Sequence, residues 1–161
     1  MNDLPGWVKH GTVWMLLGLG LFMGIQVWQS RAEATRFVID GNVVEIQRSP
    51  DGHYHWRGQL NGRDVEFLVD TGATSTAIPQ GLADALGLVR VGVVTSATAG
   101  GIVQGNIVIA DLALEGGLRA DRLRITALSG LGMPLLGMDV LGRLPLQQRD
   151  GRLRVDLGGA P

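Results

Sequence analysis

The chain has 161 residues, with 14 Lys+Arg against 15 Asp+Glu, 45% hydrophobic residues and no cysteine. That length is the prior for one domain, perhaps with an appendage, and the hydrophobic content excludes a largely disordered chain. The charge balance leaves no electrostatic footprint for nucleic acid, and the lack of cysteine excludes disulfides, thiolate metal sites and a thiol nucleophile. The 25 glycines, with no G-X-Y period, point to β-structure with tight turns.

Residues 11–30, GTVWMLLGLGLFMGIQVWQS, carry no charge. A helix of that length rises about 30 Å, the thickness of a bilayer core. Trp14 and Trp28 lie near its ends, where aromatic belts form, and Lys9 and Arg31 bracket it. The pattern predicts a short tail over 1–10 and a transmembrane anchor over 11–30. Gly20 and Gly24 have the spacing that lets two membrane helices approach closely. The rival is a cleaved signal peptide, because Ala32-Glu33-Ala34 has the form of a cleavage site. The apolar run is longer than the usual 7–15 residues, so the anchor is preferred. The flanking charges do not fix its orientation. A short tail left in the cytoplasm would place the body outside. Residues 31–49 read as a juxtamembrane linker, with a small hairpin between Phe37–Ile39 and Val43–Ile46, and the body is expected over 50–161.

The body reads as all-β with little helix. From His53 to Leu60 the pattern alternates, Tyr54, Trp56 and Leu60 on one face and His53, His55, Arg57 and Gln59 on the other. Asn61-Gly62 is a strong hairpin signal, and 63–69 is the returning strand. A short helix is predicted over 79–86. A longer hairpin joins 89–98 to 102–114 through Ala99-Gly100-Gly101. A strand over 123–128, a helical turn over 138–142 and a last hairpin of 144–148 with 152–157 complete a small barrel or sandwich.

The chemistry concentrates in Phe67-Leu68-Val69-Asp70-Thr71-Gly72-Ala73. An apolar strand runs into a carboxylate, and Thr-Gly-Ala then turns the chain. Glycine lets the backbone turn back and offers an N–H to the carboxylate. The threonine hydroxyl can lock the loop by hydrogen bonding.

This segment resembles the active-site signature of the retropepsin-like aspartic proteases. A second element of that family, two apolar residues and a glycine, stands at Leu135-Leu136-Gly137, with the glycine-tipped hairpin of Ala99, Gly100 and Gly101 between the two. The likeness covers roughly 50–157, and with the N-terminal helix it is closest to the bacterial membrane-anchored type. The resemblance implies a small closed β-barrel with a flap hairpin and one or two short helices. It implies Asp70 as the catalytic carboxylate, supported by Thr71, Gly72 and Ala73, and a flap at Ala99, Gly100 and Gly101. Leu135, Leu136 and Gly137 would pass beside the site.

Acid proteases work with two carboxylates that share a proton, and this chain has one Asp-Thr-Gly. Asp139 lacks the loop, and Asp51, Asp121 and Asp150 sit in turn contexts. The resemblance therefore implies a homodimer with an Asp70 pair, acting on a protein or peptide substrate in an extended conformation, with no cofactor and no metal. The expected placement is the bacterial inner membrane, with the body facing the periplasm. A dimeric peptide-binding or scaffolding module of the same fold, without turnover, is the reading from another class. His53 and His55 share a strand face but lack an evident third ligand and read as exposed. Arg119, Arg122 and Arg124 read as a solvated rim. Thr74, Ser75 and Thr76 form a hydroxyl cluster with no triad partner.

Overall fold

The computed structural model describes residues 6–32, 37–40, 42–98 and 101–158. Contacts divide the chain into two units, Met1–Ala34 and Thr35–Pro161.

The first unit holds the helix α1 (Gly6–Ala32). Its described apolar side chains, from Trp14 to Ile25, are exposed. Among the described residues, no helix is long and apolar enough to cross a membrane. The transmembrane anchor expected over 11–30 is thereby corrected. So are attachment to a membrane through those residues, the membrane-anchored subtype, and the periplasm-facing inner-membrane placement.

The second unit is β-rich with two short helices. In chain order its elements are β1 (Phe37–Asp40), β2 (Val43–Gln47), β3 (His55–Leu60), β4 (Arg63–Val69), β5 (Ala77–Pro79), α2 (Gln80–Ala85), β6 (Arg90–Thr98), β7 (Gly101–Leu114), β8 (Arg119–Leu128), β9 (Leu135–Leu136), α3 (Met138–Leu141), β10 (Leu146–Arg149) and β11 (Arg152–Asp156). The β3–β4 hairpin turns at Asn61 and Gly62, whose φ of 49° and 80° match the positive values a tight two-residue turn requires. Trp56 pairs with Phe67 and Leu60 with Arg63 across it.

The larger sheet runs β3-β4-β9-β5-β8-β7-β6, and an extra pairing of β3 with β7 closes its first six strands into a ring. Most neighbours are antiparallel. The exceptions position the site: β9 lies parallel to β4, and β5 parallel to β8. β9 is thus inserted between the two strands that flank residues 70–76. Inside the ring, Trp56, Phe67, Leu60, Ile78, Ile125, Leu136 and Leu141 are fully buried. The Trp56 indole N–H donates to the Glu115 carbonyl at 2.9 Å, so its one polar atom is satisfied.

The smaller sheet, β1-β2-β11-β10, joins the two ends of the unit. Val44 and Ile46 of β2 are fully buried beside Leu153 and Val155 of β11. The compact unit therefore begins at Thr35, upstream of the expected boundary at 50. The hairpin read at 37–46 is present, with Phe37 opposite Ile46, but it is a piece of the body and not a linker. Its partner β11 lies a hundred residues away in sequence, and no local signal announces that pairing.

Candidate active site

β4 delivers Asp70 to the rim of the ring. Leu68 N–H donates to Pro134 O at 2.9 Å, Val69 N–H to Tyr54 O at 2.9 Å and Asp70 N–H to Leu136 O at 3.0 Å. The backbone is therefore held from two sides as it leaves the sheet. The chain then turns: Ala73 N–H donates to Asp70 O at 3.2 Å. Gly72 N–H donates to Asp70 Oδ1 at 2.9 Å, which fixes the carboxylate against the loop. A Cβ on Gly72 would sit 3.2 Å from that same oxygen, so a side chain there would crowd the carboxylate. Asp70 and Ala73 are half-buried, and Thr71 and Gly72 are exposed.

The far side of the loop is anchored by the segment after β9. Met138 N–H donates to Ala73 O at 2.8 Å. Thr76, fully buried, gives both its backbone N–H (2.9 Å) and its hydroxyl (2.8 Å) to Asp139 Oδ1. Its hydroxyl oxygen accepts from Gly137 N–H at 3.2 Å. Val140 N–H adds a third donor to Asp139 Oδ1 at 3.0 Å. Asp139 Oδ1 is thus committed to the framework of the loop.

The structure brings the segment of Asp70, Thr71, Gly72 and Ala73 beside Leu136 and Gly137. Leu135 pairs with Leu68 and Leu136 with Val69. The hairpin of β6 and β7 is present, with Thr98 opposite Gly101. Of the three flap residues named from sequence, Ala99 and Gly100 lie outside the described residues, and Gly101 has a φ of 112°. The buried Thr76 and the role of Asp139 were missed. The signal was a hydroxyl inside an otherwise apolar strand entry, which has to find a partner once buried.

Other residues singled out from sequence fall elsewhere. His55 is not an exposed strand residue: its side chain is 12% exposed and its Nε2 lies 2.8 Å from Asp51 Oδ2. His53 N–H donates to Asp51 Oδ1 at 2.9 Å. That backbone donor, and then the His55 ring, hold the Asp51 carboxyl below its ordinary range. Arg119, Arg122 and Arg124 are exposed on β8.

Comparison with known proteins now bears on this geometry. The profile of a family described as "gag-polyprotein putative aspartyl protease" matches residues 56–143. The chain belongs to that family. This membership classifies it as an aspartic-type endopeptidase, and the matched region runs from β3 through Asp70 to the end of α3. A Sinorhizobium protein described as "Uncharacterized protein in cobV 5'region" is 32% identical over 118 residues, which is 70% of this chain and 51% of that one. The chain thus spans about half the length of the curated relative it matches. The crystal structure of a retropepsin-like aspartic protease from Rickettsia conorii superposes with a TM-score of 0.57 at 21% identity, covering 75% of this chain and 95% of that one. That likeness gives the protease its retropepsin-like fold. The solution structure of the simian foamy virus protease overlaps 55% of this chain and 91% of its own at a TM-score of 0.42 and 17% identity. The membrane-anchored, homodimeric endopeptidase expected from sequence is corrected to a β-rich, retropepsin-like aspartic-type endopeptidase. No helix among the described residues supports the anchor, and the comparisons do not support the homodimer or a particular substrate.

Proposed function

We propose that Asp70 is the carboxylate with which this protease hydrolyses peptide bonds. The observation that carries the reading is the Gly72 N–H bond to Asp70 Oδ1 at 2.9 Å, in a loop tied to β9 on one side and to α3 on the other. One carboxylate oxygen is held by the loop, and the second is available to a water. Ionised Asp70 takes a proton from that water as the oxygen attacks the scissile carbonyl carbon. The carbonyl carbon becomes tetrahedral and its oxygen carries the negative charge. The C–N bond then breaks as the leaving nitrogen takes up a proton. Thr71, exposed at the head of the loop, and Ala73, half-buried beneath it, support the turn. In this reading the β6–β7 hairpin covers an extended peptide and excludes water.

The proton for the leaving nitrogen comes either from Asp70, which has just taken one from the water, or from a second acid. Asp139, whose Oδ1 already takes three hydrogen bonds, is assigned to the framework.

The test is cleavage of a diverse unstructured peptide mixture, read by mass spectrometry from pH 4 to 8, with wild type and Asp70→Asn. The amide keeps the acceptor for Gly72 N–H and removes the base, so specific activity falls by about a thousandfold. An unimpaired Asp70→Asn enzyme would remove Asp70 from the chemistry. The same assay at several protein concentrations locates the proton donor. Constant specific activity places it on the same chain, and rising specific activity places it on another.

A further inference from the structure

We infer that Asp139 is a positioning residue for Asp70, which fixes the catalytic loop through Thr76. The inference rests on the reading of Asp70 as the catalytic carboxylate and goes beyond it.

Residues 70–76 leave the sheet at Val69 and return to it at Ala77, and a loop of that kind has its own freedom unless both ends and the middle are held. The start is held by Asp70 N–H on Leu136 O, and the middle by Met138 N–H on Ala73 O. The return is held at Thr76, which gives two hydrogen bonds to one oxygen of Asp139 while Thr76 O accepts from Thr126 N–H at 3.0 Å. Four of these hydrogen bonds run to Leu136, Met138 and Asp139, so the loop is tied to one short segment. Asp139 acts by a side-chain acceptor, and its Oδ1 also takes Val140 N–H. A single oxygen therefore links the first turn of α3 to the return of the catalytic loop. The Thr76 hydroxyl relays the connection, donating to Asp139 and accepting from Gly137 N–H.

Thr76 is fully buried and Asp139 half-buried. Removing the acceptor leaves a buried N–H and a buried O–H with no partner, and the backbone shifts to reach water or another oxygen. The shift passes along six residues to the Asp70 carboxylate. Catalytic groups displaced by about 1 Å lose on the order of a hundredfold in rate. The contribution of Asp139 is acceptor geometry, which asparagine reproduces with its carbonyl oxygen.

The test uses the full chain as wild type, Asp139→Ala, Asp139→Asn and Thr76→Val, with backbone amide exchange and steady-state kinetics on one cleaved peptide. Expected for Asp139→Ala is faster exchange at Ala73 and Met138, with the amides paired between β2 and β11 unchanged. Its kcat falls about a hundredfold with KM within about twofold, and Asp139→Asn restores both readouts to within about threefold. Thr76→Val, which keeps the shape and removes the hydroxyl, loses kcat in the same sense, and the double variant loses less than the product of the two single losses. Accelerated exchange confined to 137–141, or spread evenly over the body, would overturn the inference, as would an asparagine variant no better than alanine. Should Asp139→Ala fail to fold, Asp139→Asn against Thr76→Val carries the comparison. If wild type shows no Asp70-dependent cleavage, the reading of Asp70 fails. The exchange at Ala73 still decides whether Asp139 holds the loop.

Discussion

At Gly137 the chain has no room for a side chain. A Cβ there would lie 2.6 Å from Ser75 O and 2.7 Å from Thr76 N, both of them backbone atoms of the return of the Asp70 loop. Neither can swing away as the end of a flexible side chain would, because Thr76 N is held on Asp139. Gly137→Ala therefore separates β9 from the loop, costing about 3 kcal/mol by the usual range for overpacking. Thermal melting and peptide cleavage should fall together, and a variant that melts like wild type would show that the loop yields more easily than these contacts indicate. The resemblance implied that Leu135-Leu136-Gly137 passes beside the Asp70 segment, but the lack of room at Gly137 was not legible in the sequence. The Thr76–Asp139 bond was not legible, because it joins residues 63 apart and neither belongs to a local pattern. A sequence displays the spacing of side chains along the chain. It does not display which buried donor will meet which acceptor across the fold.

The turn before β3 is a self-contained element with a titratable clasp. Ser49 N–H donates to His53 O and Gly52 N–H to Ser49 O, while Asp51 receives His53 N–H and pairs with His55. Arg48 lies over the Tyr54 ring, 5.7 Å from its centre, and Tyr54 O accepts the Val69 N–H that precedes Asp70. The His53 N–H first, and the His55 ring second, lower the Asp51 pKa on folding. A lowered folded value means the unfolded chain binds the proton more readily. The stabilisation is therefore complete above the unfolded pKa, ~3.9, and disappears as pH falls through the folded value. Because Asp51 is half-exposed, the effect is small. Asp51→Asn should melt below wild type at pH 5, with the gap narrowing as pH falls below ~3.9. A gap of constant size over that interval would mean the carboxylate charge contributes nothing. Elements of this kind, with Pro-Asp-Gly or Asn-Gly at their centre, are readable because their partners are a few residues apart. β5 and β9 were harder. With three and two residues they have no period to detect, and their parallel neighbours are distant in sequence.

At the scale of the molecule, the smaller sheet decides where the folding unit begins. A boundary at 50 looks reasonable from sequence, since Ser49-Pro50-Asp51-Gly52 is strong turn chemistry and the resemblance starts there. The structure puts β2 upstream of that turn and inside the body. Val44 pairs with Val155 and Ile46 with Leu153, and all four are buried. Leu157 N–H donates to Asn42 O and Arg48 N–H to Gly151 O, so both ends of the pairing are closed. Val44 also packs against the turn at Gly116, linking the smaller sheet to the end of β7. Removing β2 deletes two fully buried aliphatic side chains, each contributing roughly 1.5–3 kcal/mol by burial, and bares Leu153 and Val155 to water. Against a typical domain stability of about 5–15 kcal/mol, that loss is a large share of the total. A chain covering 35–161 should therefore melt cooperatively, and one covering 50–161 should be unfolded or melt far lower, by on the order of 10 °C or more. Circular dichroism melts of the two truncations, side by side, read the difference. Equal melting would mean that β11 finds another partner for its buried face and that the compact unit is smaller than 35–161. Unequal melting would give β2 its place in holding β11, and with β11 the chain's C-terminal end, against the ring that carries Asp70.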